Sequence, residues 1–264
     1  MSQESLVYFK FYSNKIPILL NYFKVTDPSI VYSFDVINRS GITVYVRARP
    51  DVTYSGGSLD LASGTSGIMN LTLNPIKGSD GQNQTVNIYI NVCKDSACSS
   101  IIQTINHPIT IYYRYLPSVN VLSRFTFDDG TVQGWNSSVS SRVSSAFSIT
   151  PDYALDLYYY TPTGNYTTVI LRAPQITSTP VDNVYLVFLG HARLSNFRKI
   201  HIYVDNELRN ITRLDVRDRW LYFGYYLGSI NPNSVIDIKI DTYNTLAGGT
   251  TDLYIDDITF FTIP

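Results

Sequence analysis

Two pairs of aspartates flank the second half of the chain: Asp128 and Asp129 stand near its start, and Asp256 and Asp257 near its end. Paired carboxylates could hydrolyse a glycosidic bond if two of them stood about 5–9 Å apart and one had a raised pKa. No segment indicates such a pair, and glutamate, the other acid, occurs only at Glu4 and Glu207. The aspartates could equally cap turns or accept hydrogen bonds from backbone amides.

Other catalytic constellations are not recognisable in the sequence. The three histidines, His107, His191 and His201, show neither HxH nor HExxH spacing. The segment GTSG at residues 64–67 lacks the pattern of a nucleophile elbow, and no glycine-rich phosphate loop occurs. His191, in GHARL, is best interpreted as a histidine of the core or of a sheet edge. The sequence therefore predicts a protein that is not an enzyme.

Two covalent modifications are predicted. Cys93 and Cys98 lie five positions apart between strand-like residues, which predicts a disulfide across a hairpin end; a lone CxxxxC is a poor zinc site. A disulfide favours an extracellular setting, or the cytosol of a thermophile. Asn-x-Ser/Thr motifs predict N-glycosylation at Asn38, Asn70, Asn83, Asn136, Asn165 and Asn210, although a chain rich in these residue types contains several such motifs by chance.

The composition favours strands throughout. Tyrosine alone supplies 22 residues, and no long stretch has the 3.6-residue apolar period of a helix. Short alternating runs such as LVYFKFY, ITVYVRARP and TVNIYINV fill the first 115 residues, separated by turn residues. This pattern predicts an all-β protein whose residues 1–116 form an immunoglobulin-like β-sandwich, a spacer without a ligand of its own. The segment from FDVINRSG to NLTLN resembles the immunoglobulin-like modules of archaeal and bacterial surface proteins.

Residues 117–124 are expected to be a short linker that allows little domain swing, because Pro117 disfavours continuation of the preceding strand. After it come about nine strand-like runs, enough for a jelly-roll β-sandwich over residues 125–264. In VIDIKID, Ile236, Ile238 and Ile240 are expected to face the core.

The second half also resembles a family. FTFDDGTVQGW, ALDL, YLVFLGHARL, KIHIYV, WLYF and DLYIDDITFF reproduce, in order, the landmarks of galactose-binding-like jelly-roll carbohydrate-binding modules. The resemblance implies glycan binding without catalysis. It also implies that the opening and closing segments lie side by side and share a structural calcium, with Asp128, Asp129, Asp256 and Asp257 as ligands. Calcium binds 6–8 oxygens, which aspartates and free carbonyls supply.

A glycan site would need aromatic side chains on one exposed sheet face. Strand alternation directs Asp156, Tyr158 and Tyr160 away from the core in ALDLYYY, and Trp220 and Tyr222 in WLYF. These five residues are the predicted carbohydrate-binding set. Two alternatives stay open: Trp135 and Trp220 could be packing residues, and the tyrosine-rich face could be covered by another subunit.

Charge excludes some partners. The net charge of −1 gives no field that favours nucleic acid, and the apolar run IPILL is too short for a signal sequence or a spanning helix. Neither nucleic-acid binding nor membrane insertion is expected. Residues 193–219 contain seven basic residues, Arg193, Arg198, Lys199, Arg209, Arg213, Arg217 and Arg219, interleaved with Asp205, Glu207, Asp215 and Asp218. Such interleaving predicts an ion-paired, solvated surface, with attraction of anionic glycans as the alternative.

The low charged fraction, with abundant Tyr, Ser, Thr and Asn, resembles surface and virion proteins of thermoacidophilic archaea and their viruses. Together these features predict an extracellular or virion-surface protein, and the missing export signal favours a spike, turret or capsid-decorating protein. Its expected partners are a host glycan or glycoprotein and other subunits of an oligomeric assembly. The alternatives are a carbohydrate-binding region of a polysaccharide-degrading enzyme and a purely structural subunit.

Overall fold

The computed structural model describes residues 6–19, 30–74, 78–146, 148, 152–162, 164–193, 196–216, 220–244 and 249–264. Strands dominate these residues, which confirms the all-β prediction. The one helical element within these ranges is a single 3-10 turn, Leu116–Ser118. In the same ranges, nothing has the length and apolarity of a membrane-crossing helix.

The first half forms an N-terminal sandwich of two sheets. Its strands are β1 (Val7–Lys10), β2 (Lys15–Leu19), β3 (Ile30–Asn38), β4 (Val44–Pro50), β5 (Tyr54–Gly56), β6 (Ser58–Leu61), β7 (Ser66–Leu73), β8 (Asn83–Cys93) and β9 (Ile101–Arg114). One sheet has the order β1-β3-β7-β5 and the other β2-β9-β8-β4-β6. Alternate residues of both sheets, such as Phe34, Met69 and Ile88, form one buried core. Its immunoglobulin-like character stays a prediction.

The second half forms a C-terminal sandwich. Its strands are β10 (Asn120–Phe125), β11 (Asn136–Ser137), β12 (Ser140–Ser144), β13 (Ala154–Thr161), β14 (Tyr166–Arg172), β15 (Val181–Arg193), β16 (Asn196–Val204), β17 (Glu207–Val216), β18 (Trp220–Ile230), β19 (Ile236–Tyr243) and β20 (Gly249–Thr262). The six-stranded sheet has the order β12-β13-β20-β15-β18, with β10 added on β20. The five-stranded sheet has the order β11-β14-β19-β16-β17.

The two sheets of the C-terminal sandwich enclose a second core. Ile236, Ile238 and Ile240 are buried in it, as their alternation predicts. Trp135 also lies in this core, against Phe125 and Phe260, so its indole is a packing residue. The outward residue Asp237 is nevertheless only 4% exposed, because Arg172 covers it with two hydrogen bonds of 2.8 and 3.0 Å.

The connection between the sandwiches differs from the expected linker. Residues 120–124 lie in β10, which pairs antiparallel with β20 from Asn120–Thr262 to Phe125–Ile258. They therefore belong to the six-stranded sheet, because their backbone groups find partners on the C-terminal strand. The predicted limits at 1–116 and 125–264 stay a prediction.

The N-terminal sandwich docks directly onto the C-terminal one. Leu19, at the end of β2, is fully buried in a small third cluster that includes Tyr185, Val187 and Phe261 from the outer face of the six-stranded sheet. Strand β2 approaches β18 so closely that a Cβ added at Gly224 would lie 2.5 Å from the Pro17 carbonyl oxygen. The absence of a side chain at Gly224 permits this backbone contact.

A single tyrosine links the two backbones at this contact. The Tyr222 hydroxyl donates to the Pro17 carbonyl and accepts from the Leu19 amide, with both distances 3.1 Å. Beside it, the Lys15 ammonium lies 4.3 Å from the Tyr226 ring centroid. Tyr222 thus satisfies two polar groups of β2 that would otherwise lose water when the sandwiches meet.

Deletion of this hydroxyl should weaken the contact. In Tyr222→Phe, we expect the free energy of unfolding to fall by about 1–2 kcal/mol, since two partly buried backbone groups lose their partner. Tyr226→Phe is the matched control, because its hydroxyl bonds only to the exposed Asn183 side chain; its cost should be below about 0.5 kcal/mol. Equal costs for the two variants in denaturant unfolding would contradict the bridging role.

Candidate functional site

A row of polar and aromatic side chains crosses the outer face of the six-stranded sheet. Consecutive register partners join Arg142 to Asp156, Asp156 to Tyr254, Tyr254 to His191 and His191 to Trp220. Their chain neighbours, such as Leu155, Ala192 and Leu253, lie in the core, so the residues of the row face outward. We call this row, with the adjacent Tyr158, Asp252 and Arg193, the platform.

Aromatic rings occupy both sides of the platform. On β18, the Trp220 ring centroid lies 5.5 Å from that of His191, and the His191 centroid lies 6.2 Å from that of Tyr254. On β13, the Arg142 guanidinium lies 4.7 Å from the Tyr158 ring centroid. Tyr160, at the end of the same strand, is 68% exposed. Tyr254 and His191, in the middle of the row, are buried, at 2% and 5% exposed, whereas Tyr158 and Trp220 at its sides are half-buried. The aromatic rings that solvent reaches therefore lie at the two sides of the platform.

Two carboxylates and two guanidinium groups lie among these rings. Arg142 Nε donates to Asp156 Oδ2 at 2.8 Å, and Arg193 Nη1 lies 3.7 Å from Asp252 Oδ2. Arg193 also donates a hydrogen bond to the Tyr254 hydroxyl, whose pKa is raised by burial and by the charges of Asp156 and Asp252. The platform thus combines donors, acceptors and apolar rings within one face.

Asp156 has the least favourable surroundings of the platform residues. Its side chain is fully buried, and its Oδ1 atom has no hydrogen-bond partner among the described residues. Burial raises the pKa of the carboxyl, against the hydrogen bond from Arg142. A buried acceptor without a partner costs about 1–3 kcal/mol, so a ligand hydroxyl that reached this oxygen would recover part of that cost.

The other end of the same face is closed. The prediction that Tyr222 binds carbohydrate is wrong, because its hydroxyl is hydrogen-bonded to the backbone of Pro17 and Leu19 in the N-terminal sandwich. Tyr185 and Phe261 are buried in the same contact. Of the predicted set, Asp156, Tyr158 and Trp220 belong to the platform, and Tyr160 lies at its rim.

The aspartate pairs do lie at neighbouring segments, as the resemblance implies. Both pairs fall within four residues of the last β10–β20 partners, Phe125 and Ile258. Asp129 is exposed and accepts hydrogen bonds from the backbone amide and the hydroxyl of Thr131, both at 2.9 Å. The hydrogen bond from the amide lowers the pKa of the Asp129 carboxyl. Asp257, 3% exposed, receives two bonds of 2.7 and 2.9 Å from Arg124.

These partners limit what the aspartates can offer a calcium ion. Asp129 caps a turn and Asp257 is neutralised by a guanidinium, whereas Asp128 keeps a buried Oδ1 without a hydrogen-bond partner and Asp256 is fully buried. Within the described ranges, no group of three or more His, Cys, Asp or Glu side chains is arranged to hold a metal. Calcium at this position stays a prediction, with Asp128, Asp129, Asp256 and Asp257 as the ligands that the resemblance implies.

The predicted modification sites differ in accessibility. Asn38 is fully buried, and its amide donates to the carbonyls of Ile42, Leu61 and Ala62. The prediction of a glycan on Asn38 is therefore wrong for the folded protein, because that nitrogen is already bonded inside the core. Asn83, Asn136 and Asn165 are exposed, and Asn70 and Asn210 are half-buried; glycosylation at these five stays a prediction.

The disulfide and the basic cluster can also be located. Cys93 and Cys98 are bonded at the end of β8, with Cα atoms 5.0 Å apart. Arg193 and Arg209 lie near Asp252 and Glu207, respectively, whereas Lys199 and Arg213 lie opposite one another on neighbouring strands; a fully ion-paired surface stays a prediction. Arg217, Asp218 and Arg219 lie outside the described residues, as does the side chain of Asp215.

Sequence reasoning missed five of the eight platform residues. Arg142, His191, Arg193, Asp252 and Tyr254 were not predicted to bind a ligand. Alternation in DLYIDD and GHAR does direct Asp252, Tyr254, His191 and Arg193 away from the core. The sequence does not show that β20 lies between β13 and β15 in the sheet. This strand order brings the outward residues together.

No family model matches this chain, and no curated protein matches it in sequence. Among solved structures, a β-sandwich carbohydrate-binding module from a study of promiscuous specificity aligns at 14% identity over 96% of each chain, with a TM-score of 0.41. The module TmCBM61 in complex with β-1,4-galactotriose aligns at 15% identity over 52% of this chain and 94% of its own, with a TM-score of 0.38.

A third structure is the CBM22-1 xylan-binding domain of Xyn10C from Paenibacillus barcinonensis. It aligns at 13% identity over 55% of this chain and 96% of its own, with a TM-score of 0.37. These TM-scores are too low to transfer a function or a ligand. The β-sandwich assignment rests on the sheets and cores described above.

The buried charge of Asp156 predicts a pH-dependent stability. The pKa of the Asp156 carboxyl in the folded protein lies above its usual 3.8. Its contribution to stability is therefore fully present below about pH 3.8 and is lost as the pH rises through the folded pKa. Asp156→Asn cannot ionise and still leaves one buried polar atom unpaired. We therefore expect its melting temperature to exceed that of the unmodified protein at about pH 7 and to converge with it near pH 3.

The matched control is Asp237→Asn, at a carboxylate that is also buried but has both oxygens bonded to Arg172. This variant should lower the melting temperature at neutral pH, because it removes a bidentate ion pair. A lower neutral melting temperature for Asp156→Asn would contradict the account of Asp156.

Calcium at the β10–β20 seam can be tested by stability alone. If Asp128 and Asp256 help to hold an ion, the melting temperature of the full chain should rise with millimolar calcium and fall with a chelator, by mass action. Asp128→Asn should abolish the difference, and Asp129→Asn should leave it, because Asp129 faces Thr131. Identical melting curves with calcium and with chelator would refute the prediction.

Proposed function

We propose that the protein is a non-catalytic surface protein that binds a glycan on the platform. The observation that supports this is the alignment of the half-buried rings Trp220 and Tyr158 with the Arg142–Asp156 and Arg193–Asp252 pairs on one outward sheet face. Sugar rings have apolar C–H faces that lie flat on aromatic rings, and their hydroxyls need donors and acceptors around the rim. The platform provides both.

The acid–base pairs fit hydroxyl recognition. A hydroxyl can donate to a carboxylate and accept from a guanidinium at once, and hydrogen bonds with one charged partner are the stronger kind. Asp156 Oδ1 has a free acceptor position, and the side chains of Arg142 and Arg193 are 59% and 45% exposed. A sugar at the platform would therefore meet these exposed guanidinium donors first, while the fully buried Asp156 holds Arg142 in place.

The platform is a binding surface in this proposal, without a catalytic role. Asp156 is already paired with Arg142, and the Asp252 carboxylate lies near Arg193. Acid catalysis would need a carboxylic acid within reach of the leaving group, whereas Asp156, whose pKa burial raises, is fully buried and Asp252 lies near the Arg193 cation.

The biological setting belongs to the same proposal. The Cys93–Cys98 disulfide and three exposed sequons favour an extracellular or virion-surface location. There the platform would attach the particle or cell to a host glycan or glycoprotein, with other copies of the chain in a surface assembly. A binding module of a polysaccharide-degrading enzyme would use the same surface.

A second candidate is a purely structural subunit. It is favoured by one observation: the outer face of the same sheet is already buried at its other end against β2. The platform could be covered similarly by a neighbouring subunit.

The test is titration of the full chain with neutral oligosaccharides, including xylo-, manno-, galacto- and gluco-oligomers, in a calorimeter. Tyr158→Ala and Trp220→Ala should each weaken binding by roughly 10-fold or more, because each removes a stacking ring. Trp220 also packs near the contact between the sandwiches, so Tyr158→Ala is the cleaner variant. Tyr89→Ala is the control, at a ring that is 47% exposed on β8.

Unchanged affinity in both platform variants, with the fold intact by melting temperature, would place any glycan elsewhere. Absence of binding across the neutral oligosaccharides, combined with self-association that Tyr158→Ala disrupts, would instead favour the structural subunit.

A further inference from the structure

A second concave site lies between the two sandwiches, on the side opposite the platform. It is a cavity of about 590 Å³. One wall comes from β3 and β7 of the N-terminal sandwich, and the other from the outer face of the five-stranded sheet, on β14, β16 and β17. We call it the groove. Its volume falls within the range of small-molecule sites, about 300–1,000 Å³, which often occur at domain interfaces.

Three basic side chains line the groove: Arg198, Lys199 and Arg213. Lys199 on β16 is the direct register partner of Arg213 on β17. Like charges directly opposite one another on neighbouring strands destabilise a sheet. Because this pair lies on the wall of a cavity, an anion held between the two side chains would relieve the repulsion.

Few acids balance these cations. Asp35 lies on the opposite wall and accepts a hydrogen bond from Tyr12. Asp241, on β19, is the other register partner of Lys199 and accepts from Thr168 at 2.7 Å. His201 also lines the groove, and burial lowers its pKa, so it is neutral at physiological pH. Arg198 lies over the Tyr243 ring, 5.0 Å from its centroid, so the opposed Lys199 and Arg213 are the bases that an anion would bridge.

Apolar side chains separate the charges. Ile37 and Ile68 lie on the N-terminal wall, and Leu208 and Ile211 on the C-terminal wall. Tyr166, which also lines the groove, is 67% exposed and packs against Tyr243, with centroids 4.8 Å apart. A bare inorganic anion would use the cations and leave these surfaces without contact.

We propose that the groove binds a saccharide bearing a carboxylate or sulfate group, with the anion between Lys199 and Arg213 and the C–H face of the sugar ring against Tyr166 and the isoleucines. The two bases supply charge-assisted hydrogen bonds, and the apolar walls remove part of the ring from water. This site is separate from the platform and does not depend on it, since its walls come from other strands.

The test uses the full chain in calorimetric titrations with digalacturonate, a sulfated disaccharide, neutral galactobiose and inorganic sulfate. At least one acidic disaccharide should bind, with an affinity that falls as salt is added. Lys199→Ala and Arg213→Ala should each weaken that binding by about 10-fold or more. Arg213→Ala should not lower the melting temperature, because it removes one member of a repelling pair.

Arg209→Ala is the matched control: it is a base on β17 that pairs with Glu207 and does not line the groove. Its affinity for the acidic disaccharide should be unchanged. The digalacturonate and sulfated arms show which anionic group is preferred. Tyr158→Ala should leave this binding intact, so failure of the platform and failure of the groove give different results.

The proposal is overturned if galactobiose binds as tightly as the acidic sugars, or if inorganic sulfate binds as tightly as the disaccharide. It is also overturned if no acidic disaccharide binds, or if the Lys199 and Arg213 variants keep full affinity.

Discussion

The contact between β2 and β18 determines how the surfaces of this protein are divided. Gly224 lets the Pro17 backbone approach the six-stranded sheet, and Tyr222 supplies the hydrogen bonds that the meeting backbones need. Because β2 covers one end of the outer face, only the other end stays available as the platform. The same docking forms the second wall of the groove. Both candidate sites therefore depend on this junction, which the platform residue Trp220 also contacts.

Two arrangements of polar groups on the outer sheet faces lower the stability of the folded protein. Asp156 is fully buried with one oxygen unpaired, and Lys199 lies opposite Arg213. Both arrangements destabilise the isolated protein. Asp237, by contrast, has both oxygens satisfied by Arg172. Unfavourable groups that occur in concave or aromatic surroundings are candidates for contact with a ligand.

Much of the fold could be predicted from local pattern. Alternation placed Ile236, Ile238 and Ile240 in the core and directed Asp156, Tyr158 and Trp220 away from it. The limits of that reasoning are equally physical. Alternation tells which face a residue occupies but not what covers that face, so Tyr222 was predicted to be exposed although β2 packs on it. Alternation also cannot give the strand order, which places Tyr254 and His191 in the platform. Nor can it show that the side-chain amide of Asn38 donates hydrogen bonds to three backbone carbonyls.

The most direct test of this division is amide hydrogen exchange of the full chain, with and without the tightest-binding neutral oligosaccharide. The account predicts added protection in β13, in the Leu189–Arg193 end of β15, in the Trp220 end of β18 and around Tyr254 on β20. Exchange in β2 should stay slow and unchanged, because that strand is already docked. Protection confined to the N-terminal sandwich, or rapid exchange in β2 of the free protein, would contradict the account.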